Sequence, residues 1–377
     1  MKIVVEKLPK EVQKIFKIFG SDIRLVGGCV RDLLLKKPVN DFDFATKFLP
    51  LETIKILEKN KIKAVPTGLK YGTITAVINK KNFEITTLRR DENQRGRATD
   101  VVFTDDYKID AMRRDFTINA LYIDNAGKIY DYFDGIKDLR AQKLRFIGDA
   151  SMRIKEDFLR ILRFFRFSLE YAKTIDNKGL QSCILYKENL KKLSRERIRG
   201  EFIKIFNTKN PQNLIEILQI MQKKKILPEI FSAKIQLKRL ENLLKIEKNC
   251  DFSLKFAVGF LTKISQINDF SKEICATNQE KKLFNMLFKE KLPKLDKKSL
   301  NVILAFYDNN FAINLYLFNL AKQSKKRALY LKYLKNFQLP KFPFNAKDAQ
   351  NKGLQGIEIS NFLKKHRKVW AQQGFVI

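Results

Sequence analysis

The 377-residue chain sets 75 Lys and Arg against 41 Asp and Glu, a net charge of +34, and 45% of it is apolar; a disordered chain is excluded, and the length suits two or three domains with cores of their own. Four scattered cysteines without a CxxC pair, and a single histidine (His366), argue against a disulfide framework, a zinc site and histidine acid–base chemistry, so a metal here would be held by carboxylates, as magnesium and manganese are. No run of about 18 apolar residues exists, and MKIVVEKLPKEV at the N-terminus is charged where a signal peptide is apolar; with the basic excess asking for a polyanion, a cytoplasmic nucleic-acid-binding protein without a membrane segment is expected.

In chain order, residues 8–19 place Leu8, Val12, Ile15, Phe16 and Phe19 at helical spacing. Residues 22–27 read as a strand, 30–35 as the start of a helix, 42–45 as a short strand and 51–59 as a helix. Residues 72–78 and 82–87, rich in Thr, Ile and Val, read as two strands joined at 79–81. The stretch RRDENQRGRATDVVFTDD (89–106) is polar and aperiodic, and reads as a mobile loop with Arg95, Gly96 and Arg97 at its centre. Apolar residues return at 115–123, and GKIYDYFDG ends in a turn. From about residue 150 strand-like runs disappear, and helical patterns continue to the end, with 210–211 and 339–343 as the clearest breaks. The class is α+β: a head with a small mixed sheet, then an all-helical remainder.

The chemistry concentrates in LVGGCVRDLLLKKPVNDFDFAT (25–46). Gly27 and Gly28 end a strand and precede a helix, which lets a phosphate approach the backbone N–H groups. Arg31, one turn on, could pair with a triphosphate. Asp41 and Asp43 are two apart, so on a strand they share a face while Phe42 and Phe44 point into a core. Carboxylates so placed repel unless a divalent cation lies between them. Phosphoryl transfer through two metal ions asks for a third carboxylate. Glu84, between Phe83 and Ile85, is the best candidate, with Asp32 and Asp115 as rivals.

These residues resemble a known family. GGCVRD followed by DFD is similar to the nucleotidyltransferase head of DNA polymerase β-like enzymes. AMRRDFTINALYID (111–124), YDYFDGIKDL (130–139), EDFLRILRFFRF (156–167) and RERIRGEF (195–202) follow in order. Together they resemble the class II tRNA nucleotidyltransferases, or CCA-adding enzymes, and their relatives the bacterial poly(A) polymerases. The resemblance implies a polymerase β-like catalytic head over 1–148, a helical neck that selects the base over 149–210, and a helical body and tail that bind tRNA over 211–377. It implies template-independent addition of C-C-A to the tRNA 3′ end from CTP and ATP, with two Mg²⁺ ions and release of pyrophosphate. The metals would be held by Asp41 and Asp43. Gly28 and Arg31 would face the triphosphate, Arg114 the sugar and phosphates, and Asp115 would support ribose selection. Asp157, Arg160, Arg163 and Arg166 would lie on the base-selecting helix, which RERIRGE would brace. The acceptor arm and 3′ end of tRNA would be the partner.

The Asp157–Arg160 pair makes independent sense. Residues three apart on a helix are neighbours; one side chain accepts and the other donates. Cytosine and adenine each offer an amino donor beside an acceptor. Guanine and uracil offer a carbonyl and a ring N–H there, and would face acceptor with acceptor and donor with donor. Each mismatch costs about 1–3 kcal/mol. At i+3 steps the four residues wind half-way round the helix, so Arg163 and Arg166 are expected to meet phosphates or tRNA instead.

The family's switch from C to A depends on the loop after the third-carboxylate strand. Residues 89–106 are long enough for it, which favours complete CCA addition over a CC- or A-adding activity. Ala98 and Thr99 stand where His-Pro or His-Ala is common. AVPTGLKYGTITAVI (64–78) is closer to the CCA-adding pattern than to the poly(A) one. The non-enzymatic alternative, an inactive head that only binds RNA, is opposed by the presence of Asp41, Asp43, Arg114, Asp157 and Arg160.

Overall fold

A computed structural model describes residues 2–95, 98–323 and 328–376. The chain divides into two units, Met1–Leu193 and Ser194–Ile377. The first holds α1 (Lys10–Phe19), β1 (Ile23–Val26), α2 (Gly28–Leu34), β2 (Phe44–Thr46), α3 (Pro50–Lys59), β3 (Lys63–Gly68), β4 (Thr73–Ile78), β5 (Lys81–Thr87), β6 (Arg89–Arg95) and β7 (Ala98–Phe103). Then come α4 (Tyr107–Met112), β8 (Leu121–Ile123), β9 (Ile129–Asp131), α5 (Gly135–Arg140), α6 (Ala150–Glu156), α7 (Leu159–Tyr171) and α8 (Asn177–Tyr186).

Seven strands form one mixed sheet in the order β3-β4-β5-β2-β1-β8-β9, in which β2 and β5 run parallel. One face of the sheet is buried under α1 and its neighbours: Val12, Ile15, Phe16 and Phe19 meet Phe42, Phe44 and Ile85 in a single apolar cluster. This is the burial expected of the helical spacing in α1 and of the two phenylalanines flanking Asp43. A smaller cluster of Val26, Ala45, Leu88, Tyr107 and Tyr122 lies apart from it.

The structure departs from the sequence reading in three places. Residues 63–68 form β3, an element the sequence reading leaves unassigned. Pro66 is tolerated there because β3 is the edge of the sheet, with an irregular register between Val65 and Gly68. Residues 89–103 are not an irregular loop: β6 and β7 form an antiparallel ribbon pairing Arg89 with Phe103, Asp91 with Val101 and Arg95 with Ala98. A separate two-stranded ribbon needs no apolar alternation, so its polar sequence concealed it. Gly96 and Arg97 lie outside the described residues. Third, Asp41 and Asp43 immediately precede β2, and Asp157 immediately precedes the single turn that opens α7. Asp43 is nevertheless aligned with the sheet, because its carbonyl accepts from the Val26 N–H at 2.9 Å.

The second unit is helical: α9 (Arg195–Phe206), α10 (Pro211–Lys223), α11 (Leu237–Ile246), α12 (Phe252–Phe260), α13 (Ile267–Glu273) and α14 (Asn278–Lys289). It continues with α15 (Lys297–Phe306), α16 (Asn309–Lys322), α17 (Leu331–Asn336), α18 (Ala346–Gln350) and α19 (Ile357–Gln372). Its core is aromatic. Phe256 packs against Phe202, Phe206, Phe231, Phe260 and Phe270 at centroid distances of 4.8–6.2 Å. Asn210 begins α10 by accepting from the Asn213 N–H, with Pro211 in the first turn. In the RERIRGE run, Arg199 pairs with Glu280 at 2.8 Å and Arg195 donates to the Ile230 carbonyl. No helix among the described residues is long and apolar enough to cross a membrane.

Candidate active site

Local sequence shapes the turn between β1 and α2. Gly27 links β1 to α2 with a φ of +79°, and a Cβ there would lie 3.1 Å from Nη1 of Arg114. Only glycine combines that backbone with that approach. Gly28 is less constrained, so the strict requirement falls one residue before the glycine singled out in the sequence.

Arg31 is buried. Its Nε and Nη2 donate to Oδ1 and Oδ2 of Asp32 at 3.0 and 2.9 Å, and its Nη1 donates to Oδ1 of Asn119 at 2.5 Å. Asn119 in turn donates to Oδ1 of Asp115 at 3.1 Å. Arg114 pairs with Oδ2 of Asp110 at 3.2 Å, and Tyr122 donates to the same oxygen at 2.7 Å. Burial alone would raise the Asp110 carboxyl, but Arg113, Arg114 and the Tyr122 hydroxyl hold it well below the usual carboxylate range.

Before α7, Asp157 accepts from the Leu159 N–H at 3.1 Å, and its carbonyl accepts from the Arg160 N–H at 3.0 Å. The two residues therefore remain neighbours although only Arg160 lies within α7. The Arg160 guanidinium pairs with Glu156 and donates to the carbonyl of Arg153 at 2.6 Å and of Arg113 at 3.3 Å. Arg153 donates to the carbonyls of Arg113 and Arg114. Arg163 pairs with Asp115 through Nη2 at 2.6 Å and Nε at 2.7 Å. Burial would raise the Asp115 carboxyl; Arg163 and the Asn119 amide bring it down to about 2.

One cavity of about 470 Å³ gathers most of these groups. Gly28, Arg31, Asp43, Arg114, Asp115, Asp157, Arg160 and Arg163 line it, together with Gly27, Asn119, Leu159 and Phe167. Arg166 does not line it; this residue is buried with its guanidinium over the Phe167 ring at 4.2 Å. Asp41 and Glu84 are exposed and also lie off the lining. Their charges still reach Asp43: burial, then Glu84 and Asp41, push its carboxyl up to about 6, against the pull of Arg114. Of the rivals for third carboxylate, Asp32 is engaged by Arg31 and Asp115 by Arg163.

Sequence reasoning did not single out Asn119, Asp110 or Tyr122. All three fall in or beside the quoted AMRRDFTINALYID stretch, but nothing in their spacing says that they fasten Arg31 and Arg114. Among the described residues no three His, Cys, Asp or Glu side chains converge closely enough to enclose a metal by themselves. Magnesium does not require that. It binds through one or two carboxylates completed by substrate phosphates and water, and the repulsion from Glu84 and Asp41 that adds to burial in raising Asp43 is what a divalent cation would relieve. The donor set fits that ion.

Residues 23–145 match a family described as "Poly A polymerase head domain", and residues 174–233 one described as "Probable RNA and SrmB- binding site of polymerase A". The chain is 31% identical to the Homo sapiens protein "CCA tRNA nucleotidyltransferase 1, mitochondrial" over 97% of its own length and 86% of that protein. The fold is similar to that of the Bacillus stearothermophilus CCA-adding enzyme in complex with CTP, at a TM-score of 0.78 and 22% identity over 97% of this chain and 94% of that one. A Thermotoga maritima CCA-adding enzyme complexed with tRNA aligns at a TM-score of 0.73 and 22% identity, over 98% of this chain and 93% of that one.

Proposed function

Because the chain belongs to the family of CCA-adding tRNA nucleotidyltransferases, we propose that it adds C, C and A in turn to the 3′ end of tRNA, from CTP and ATP, with release of pyrophosphate. One observation carries this reading: a single cavity is lined by Arg31, Arg114 and the bare Gly27–Gly28 backbone, by the Asp157–Arg160 pair, and by Asp43. A nucleoside triphosphate needs all three.

Asp41 and Asp43 would hold Mg²⁺, with Glu84 as the third carboxylate, and the chemistry the metal would supply there is a lowered pKa of the primer 3′-hydroxyl and neutralised triphosphate charge. Arg31 and Arg114 orient the phosphates in line with that hydroxyl. Both are fastened by neighbours in advance, so little reorganisation accompanies binding. Asp115, fixed between Asn119 and Arg163, faces the ribose. Asp157 accepts the amino group of cytosine or adenine, and Arg160 donates to the adjacent acceptor. Arg160 is anchored on backbone carbonyls of residues 113 and 153, which limits its swing toward a wrong base. Arg163 reaches the cavity, while Arg166 lies off it over the Phe167 ring. The head would span 1–148, the neck 149–210, and the body and tail, which grip the tRNA acceptor arm, 211–377. We place the protein in the cytoplasm; its four free cysteines suit a reducing compartment.

The test uses the purified protein, Mg²⁺ and a tRNA transcript ending at the discriminator base, given CTP, ATP or both, with product lengths read on a sequencing gel. Two residues with CTP and three with both, followed by a stop, are expected. Long A-tails on unrelated RNA would make it a poly(A) polymerase. A stop at two with ATP present would make it a CC-adding enzyme.

A further inference from the structure

Asp32 and Tyr171 have no part in the mechanism above, yet they meet at Arg31. Tyr171 is the last residue of α7. Its hydroxyl donates to Oδ1 of Asp32 at 3.0 Å, on the carboxylate that already takes Nε and Nη2 of Arg31. Its ring lies under the Arg31 guanidinium, 4.1 Å from centroid to carbon, and carries the Lys37 ammonium at 4.4 Å. Burial holds the phenol well above its usual pKa, so it is a donor at neutral pH. One side chain thus grips Arg31 twice, by stacking and through the shared carboxylate. The 13-residue α7 is about 20 Å long, with Arg160 in its first turn and Tyr171 at its end.

We propose that Tyr171 is a positioning residue: acting through Asp32, it fixes Arg31 for the triphosphate and so ties phosphate binding to the helix that reads the base. Tyr171 does not touch the nucleotide. The inference rests on the nucleotidyl-transfer reading.

The test is equilibrium binding of CTP, ATP and CMP to the full chain with Mg²⁺ and without RNA, so that no transfer follows. Tyr171→Phe keeps the ring and removes the hydroxyl. It is expected to raise Kd for CTP and ATP by the same factor, about threefold to tenfold, and to leave CMP, which lacks the β and γ phosphates, unchanged. In an Arg31→Lys background the substitution adds nothing further. A Tyr171→Phe protein that binds both triphosphates as the wild type does, or that loses CMP as much as CTP, overturns the proposal. So does an effect that persists undiminished beside Arg31→Lys. A wild-type protein that binds neither triphosphate would instead overturn the nucleotidyl-transfer reading, and is recognised before any variant is made.

Discussion

Both units bury phenylalanine, but they differ in the charges they bury. Around the cavity of the first, charged side chains are inside: Arg31, Asp110, Asp115, Arg160 and Arg166 are all buried, and each of the first four is held by an opposite charge or a carbonyl. The second unit buries phenylalanine as the first does, but among the described residues its buried charges are fewer: Glu201, Lys255 and Glu280 are answered by Lys204, the Phe206 carbonyl and Arg199. A buried ion pair is weak support for stability, because desolvation offsets most of its attraction. Buried aromatic area stabilises outright. The first unit sets a connected network of buried charges beside its apolar clusters, while the second buries fewer charges around an aromatic core.

That contrast can be broken from either side. Asp41→Ala should have the largest effect on chemistry: transfer falls by about three orders of magnitude, or roughly 4 kcal/mol, while gel-shift binding of tRNA persists. Retained transfer would remove Asp41 from the metal set. Phe256→Ala, in the aromatic core, should destabilise the second unit by about 3–5 kcal/mol, seen as a lower midpoint in urea, with the affinity of the cavity for CTP retained where the protein is folded. An unchanged midpoint would mean that the aromatic core is not what stabilises this unit.

Smaller effects sharpen the comparison. Asp157→Asn can make the same turn onto the Leu159 N–H but mixes donor and acceptor on the reading edge. UTP and GTP incorporation should rise relative to CTP by about tenfold, near 1.4 kcal/mol; unaltered selectivity would move base reading elsewhere. The smallest effect is in acid. The Asp115 carboxyl lies near 2 in the folded protein and near 3.9 unfolded, so its contribution is fully present above about pH 4 and is lost as pH falls toward 2. Acid unfolding followed by circular dichroism should show Asp115→Asn less sensitive than wild type across that window. Equal sensitivity would mean that the Arg163 pair stores no stability.

Much of this was legible in the sequence, for physical reasons. The strands at 73–78 and 81–87 and helix α1 announce themselves by periodicity, because each has one face in a core. The Gly-Gly turn, Arg31 and Asp43 are legible because chemistry constrains residue type. What escaped has no local signature. Arg31 is held by Asn119, 88 residues away, and Tyr171 meets Asp32 across 139; no window of sequence contains such a pair. Pro66 reads as a breaker until the strand is known to be an edge. The β6–β7 ribbon has no core face to leave a pattern. Arg160 is legible as the donor beside Asp157, but its anchoring on the carbonyls of Arg113 and Arg153 is not.

The edges of the seven-stranded sheet have a consequence for how copies of this protein meet. On one side lies β3, whose Pro66 offers no N–H and whose register slips before Gly68. On the other lies the three-residue β9, beyond which Lys2 pairs with Lys128. Neither is a straight, open ladder of donors and acceptors. A crowded population of newly made heads has no strand-by-strand route to polymerisation through this sheet, and a chain carrying +34 charges repels its own kind as well.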